Sequence, residues 1–254
     1  FDLLPWEMEE LERIYTILRE RIGLNFKDGS TEGLIPMRLT IDNVEPLYRP
    51  VAVYMGFALL NWAGCVALWA AGFRYYRAEG GMTYWHRPER PRNGDDDGGS
   101  NRRRSLRLPL LFFHGIAPGG LTLYLPMVLL GLARDGRAVL LFENRPISFR
   151  PTFAALSEPD STAGVLEAMD RHLGRGAEVA AVGHSFGTFQ VTWVLRHPGI
   201  KGQVRQAVVI DPASVMLSEP EVITNFVYSG QIPGLELEGA VRALKPVILF
   251  PFYY

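Results

Sequence analysis

The pentapeptide Gly183-His184-Ser185-Phe186-Gly187 sets a serine between two glycines. An apolar run from Glu178 to Val182 leads into it, and Thr188 to Leu195 leads out with the composition of a helix. A serine hydroxyl gains use as a nucleophile when a sharp strand-to-helix turn strains its backbone and exposes Oγ, and glycines on either side keep strand and helix from colliding. The amino end of the helix behind it favours negative charge developing there. The plain alternative is a Gly-Ser-Gly turn without chemistry.

A second segment fits the same chemistry. Leu110 to Phe113 is apolar and ends in His114-Gly115-Ile116, followed by a glycine-rich turn through Gly119 and Gly120. A backbone amide at Gly115 or Ile116 is expected to form one half of an oxyanion hole, with the Phe186 amide as the other half. His114 belongs to this group chiefly as a residue supporting the turn. The general base is harder to find. The histidines are His86, His114, His172, His184 and His197, and none follows residue 197. His197 lies about 18 Å along a helix from Ser185, beyond reach of its hydroxyl. His184 is expected to face away from its neighbour. Asp211 is a candidate acid, with an Asp-Pro structural turn as its alternative. Ser185 therefore stands as a nucleophile without an acid-histidine pair in the usual positions.

The elements that would position these residues follow from periodicity. Leu108–Phe113, Ala138–Phe142, Val179–Val182 and Val208–Ile210 are short apolar runs suited to strands. Helix-like stretches at Leu121–Arg134, Thr162–Leu173 and Phe186–His197 alternate with them. That alternation predicts right-handed crossovers and an α/β fold, a mainly parallel sheet with flanking helices.

With these residues in order, the chain resembles the α/β-hydrolase superfamily over Trp85 to Pro212. The resemblance is carried by Phe113-His114-Gly115, by Gly183 to Gly187 and by Val209-Ile210-Asp211-Pro212. More narrowly, Tyr84-Trp85-His86-Arg87-Pro88, Asp211-Pro212-Ala213-Ser214 and Asn225-Phe226-Val227-Tyr228 look like a group of membrane-anchored hydrolases of fungi and algae. The resemblance implies a Ser-acid-His triad acting on an ester or related acyl bond. The sequence departs from that pattern at its end. Lys245 to Phe250 reads as a further strand, but Pro251-Phe252-Tyr253-Tyr254 follows where the superfamily shows a Gly and an acid. The expectation is either a fragment lacking the carboxyl-terminal part of the fold or an inactive member.

Composition narrows the partners. Lys+Arg number 26 against Asp+Glu 27, so no global field exists to capture nucleic acid, and none is expected as a partner. The one cysteine, Cys65, excludes an intrachain disulfide and a Cys-pair zinc site, and it mildly favours a reducing compartment. No metal or cofactor is expected. Val51 to Phe73 runs without a charge and is long enough to cross a hydrocarbon core of roughly 30 Å, so it reads as a single transmembrane helix. Arg74, Arg77, Arg87, Arg90 and Arg92 flank its carboxyl side, against Arg38 and Arg49 before it, which places the large domain on the cytoplasmic-equivalent side. Pro5 to Ile22 forms an amphipathic helix within a segment 1–50, and 88–105 is a solvated loop within a hydrolase-like domain 74–254. The start at Phe1 instead of Met suggests that an upstream segment was removed or is not represented, and any targeting information with it. The functional expectation is an intracellular, membrane-anchored serine hydrolase of esterase or lipase type, acting on an acyl ester drawn from the bilayer. The alternative is an inactive fold serving as subunit or scaffold of a membrane complex.

Overall fold

The computed structural model of the chain describes residues 4–23, 29, 50–90, 107–150, 152 and 155–215. The chain divides into two units, Phe1–Asn43 and Val44–Tyr254. In the first, helix α1 spans Pro5–Ile22, the range its periodicity predicts.

The second unit is built on a six-stranded sheet: β1 (Arg74–Arg77), β2 (Thr83–Arg87), β3 (Leu110–Phe113), β4 (Val139–Glu143), β5 (Val179–His184) and β6 (Val204–Ile210), ordered β1-β2-β4-β3-β5-β6. β2 runs antiparallel to β1 and β4, whereas β3 is parallel to β4 and β5, and β5 to β6. Every residue of β3 and β4 is buried, and all but Glu143 at the end of β4 are apolar, as strands covered on both faces require. Alternate residues serve the two layers. Leu111, Phe113, Leu140, Phe142 and Ala181 pack with Val165 and Met169 of α3 (Glu158–His172) and with Val191 of α4 (Gly187–Arg196). Leu110, Phe112, Leu141 and Val182 face Leu121, Val128 and Leu68. The architecture is α/β: a mainly parallel six-stranded sheet with flanking helices.

Several elements differ from the sequence reading. β1 and β2 form a hairpin where the sequence suggests only a basic helix flank. The stretch Leu121–Arg134 is not an α-helix but a 3₁₀ turn, Gly120–Tyr124, followed by a π-helical turn, Met127–Leu132. Pro126, which has no N–H, interrupts the ladder between them. α3 begins one turn before Thr162, because the Ser157 hydroxyl accepts from the Asp160 amide and Glu158 and Asp160 complement the helix amino end. β6 extends back to Val204, through Arg205 and Gln206 that disguise its period. Most of the loop 88–105, together with Asn225–Tyr228 and Lys245–Phe250, lies outside the described residues.

Helix α2 (Val51–Ala70) is long and apolar enough to cross a membrane. It is not a buried core helix, since Met55, Leu59, Trp62 and Trp69 are all more than half exposed. Its other face docks on the sheet domain through Asn61, Gly64 and Leu68. Asn61 Nδ2 donates to the Ser148 carbonyl at 3.2 Å and Asn61 Oδ1 accepts from Arg150 Nε at 3.2 Å. Gly64 leaves room for Thr122, whose hydroxyl donates to the Leu60 carbonyl. Two of the flanking arginines belong to the fold: buried Arg87 donates to the Ala133 carbonyl, and Arg90 donates to the Ala71 carbonyl at the helix end.

Candidate active site

Ser185 is the turn between β5 and α4. Its φ of 49° is left-handed, a strain of roughly 1–3 kcal/mol for a residue with a side chain. Neighbours hold it there. The Ser185 amide donates to the Ile210 carbonyl at 2.9 Å, and the Thr188 amide and hydroxyl donate to the Ser185 carbonyl at 2.9 and 2.6 Å. Both flanking glycines are sterically required. A Cβ on Gly183 would lie 2.7 Å from the Gly187 carbonyl oxygen, and a Cβ on Gly187 would overlap the Phe113 carbonyl, with its carbon at 2.6 Å. Ser185 Oγ has no hydrogen-bond partner among the described residues.

The β3 turn abuts this elbow. The point a Gly115 Cβ would occupy is 2.9 Å from Ser185 Cβ, from the His184 carbonyl oxygen and from the Tyr124 hydroxyl. The Gly115 amide donates to that hydroxyl at 3.1 Å, and the hydroxyl bonds His184 Nδ1 at 2.8 Å. With one proton to give, Tyr124 donates to His184 while accepting from Gly115. The Gly115 amide is thereby committed. The amides of Ile116 and Phe186 have no partner among the described residues, which leaves them as the pair able to meet an oxyanion. Sequence reasoning missed Tyr124 and Thr188; neither stands in a motif, and only the folded contact reveals them.

His114 lies under the turn, fully buried, rather than in a pocket wall. Its Nδ1 donates to the Gly115 carbonyl at 2.7 Å and its Nε2 accepts from the Asn144 amide at 3.0 Å. Ser148 gives its own proton to the Asn144 carbonyl. The ring is thus a neutral brace with a fixed tautomer. Burial, opposed by the Gly115 carbonyl, lowers its pKa to about 4. His86 and His172 stack on each other at 4.0 Å, with Tyr84 bonded to His172. His197 accepts from the Gly199 amide. No histidine is bonded to Ser185. Asp211, also left-handed at φ 49°, is exposed at the end of β6, and its carboxylate has no partner among the described residues. The Ser185 to Ile210 bond sets this turn beside the elbow, and the Ser214 amide donates to Thr188 Oγ1. Among the described residues no cluster of His, Cys, Asp and Glu could hold a metal ion.

These histidines predict an acid-side loss of stability. Burial lowers His86 and His114 to about 4 from an ordinary 6.5, and lowers His172 as well. The unfolded chain therefore binds protons more readily in this range, and stability rises with pH. It is fully present above about 6.5 and drains as pH falls toward 4, by roughly 1.4 kcal/mol per pH unit for each strongly shifted histidine. Denaturant midpoints between pH 7 and 4 check this, and a flat profile would contradict it.

No family model matches the chain, and no curated protein matches it. Solved structures do. The chain is similar to the carboxylesterase CesB of Bacillus subtilis, with 19% identity over 68% of this chain and 55% of that one, at a TM-score of 0.44. It is similar to an epoxide hydrolase of Vigna radiata, with 17% identity over 69% and 52% of the two chains and a TM-score of 0.38. A third is a membrane phospholipase A described as a bacterial virulence factor, with 15% identity, 63% and 46% coverage and a TM-score of 0.38. The chain spans about half the length of these structures.

Proposed function

We propose that this chain belongs to a membrane-anchored serine hydrolase that attacks an acyl ester through Ser185. The observation that carries the reading is the strained serine at the β5–α4 turn, its hydroxyl unpartnered among the described residues, beside two unoccupied amides. In the reaction, Ser185 Oγ bonds to the ester carbonyl carbon and its proton passes to a base. The amides of Phe186 and Ile116 receive the oxyanion, and the alcohol leaves with a proton, giving an acyl-serine that water then cleaves. Covalent capture by an organophosphorus probe that disappears in Ser185→Ala favours this reading; capture that survives the substitution removes it.

A second reading, an inactive fold serving as subunit or scaffold of a membrane complex, is favoured by the histidines. His114 is locked as a brace, and none of the others is bonded to Ser185. The two readings share the anchor, to which the narrower sequence likeness also points. The exposed face of α2 gathers Tyr54, Met55, Leu59, Trp62 and Trp69, an apolar grouping of the kind that marks a membrane or protein contact. Its midpoint is docked on the domain through Asn61, so in this reading the domain is held against the anchor by one face of the helix. The full chain is expected to stay with membranes through alkaline carbonate and to need detergent, whereas a chain lacking residues 1–78 loses the anchor. Release of the intact chain by carbonate would overturn the anchor.

A further inference from the structure

The segment after β4 turns back against α2 and leaves a cleft of about 260 Å³ between them, lined by Asn61, Trp62 and Cys65 on one side and by Arg145, Phe149 and Arg150 on the other. Its charges do not balance. Arg150 pairs with the buried Glu143 at 2.8 Å and donates to Asn61 Oδ1 and Cys65 Sγ. Arg145 acts on that same Glu143 only at longer range, makes no ion pair of its own among the described residues, and its Nε is buried without an acceptor. Two arginines against one carboxylate leave the cleft with one net positive charge, and a buried donor left unmet is destabilising.

The missing group is therefore an anion with several acceptor oxygens, a description that fits a phosphate facing a planar guanidinium. The size selects further. Whole ligands fill roughly 300–1,000 Å³, so this cleft takes a headgroup and leaves any longer portion outside. What lies outside is the apolar face of α2, with Leu59 and Trp62 exposed. Basic pockets beside membrane helices hold lipid headgroups by this combination. We propose that the Arg145–Arg150 cleft binds the phosphate of an anionic membrane lipid whose acyl chains run along α2. The inference rests on α2 lying against the bilayer and requires nothing of Ser185, so its failure leaves the hydrolase reading intact.

The test uses the full chain in detergent with mixed phosphatidylcholine and phosphatidic acid, followed by native mass spectrometry. Phosphatidic acid is expected to be retained in preference. Arg145→Gln should lower retention at least about tenfold, as expected for loss of a charge-assisted contact. Ala58→Trp, which fills the cleft without touching its charge, should do the same and serves if Arg145→Gln fails to fold. Replacing Arg102, Arg103 and Arg104 by Gln should change nothing. Equal retention in Arg145→Gln and Ala58→Trp, or loss in the triple variant, would overturn the site. Displacement by an equal concentration of glycerol 3-phosphate would overturn its assignment to a lipid in favour of a soluble phosphate.

Discussion

Fluorophosphonate capture of Ser185 in the 254-residue chain is expected to be slower by a factor of about 10⁴ or more than in a serine hydrolase with a complete triad. A serine hydroxyl at its own pKa is a weak nucleophile and needs a base within hydrogen-bond reach. His114 cannot serve. Its Nε2 lone pair is held by the Asn144 amide, and its Nδ1 proton by the Gly115 carbonyl. Among the described residues, what remains beside Ser185 is a strained turn, two amides without partners and the exposed Asp211, none of them bonded to its hydroxyl. Imidazole added in solution should raise the rate in a Ser185-dependent way. A longer form carrying an acid and a histidine after residue 254 should label at full rate and lose labelling in Ser185→Ala. Fast labelling of the short form would mean that a base acts there, and the Tyr124 hydroxyl passing a proton to His184 Nδ1 is the route to test by Tyr124→Phe. Failure of the longer form to label would favour the scaffold reading.

Gly187→Ala is expected to lower stability by about 3 kcal/mol, the upper part of the range for overpacked cores. The added Cβ meets the carbonyl of Phe113 and the carbonyl oxygen of His114, which are backbone atoms of the central strand and the oxyanion turn and cannot rotate aside. Gly56→Ala is the control, since nothing lies within 4 Å of its added carbon. It should be neutral or slightly stabilising, as alanine is the better helix former. Equal melting of the two variants would show that α4 does not approach β3 this closely.

The elbow was legible because its requirements are local. Gly183 and Gly187 are spaced by the crossing of one strand with the next helix, so five residues carry the whole signal. Which amide after β3 is left without a partner was legible only to within a residue. Choosing Ile116 over Gly115 depends on Tyr124, nine residues further on, whose hydroxyl occupies the Gly115 amide. The β1–β2 hairpin was hidden because Arg74 and Arg77 read as helix flank and because β2 buries His86 and Arg87, residues that burial ordinarily excludes. In α2, length and apolarity were plain. Asn61 is the one side-chain amide in that run, and its partners, Ser148 and Arg150, come within reach only once the later chain has folded back.

The sheet register also orders events in time. β5, α4 and β6 follow one another within residues 179–210, so Val182 meets Val208 across a single helical crossover. β2 must find β4 across far more chain, Thr83 pairing with Glu143 only after the intervening β3 is laid down. Loop closure over the longer separation costs more entropy before contacts repay it. The turn bearing Ser185 therefore condenses early and the hairpin arrives late. Weakening contacts within β5, α4 and β6 is expected to fall mainly on the rate of folding, while weakening β1 or β2 chiefly hastens unfolding.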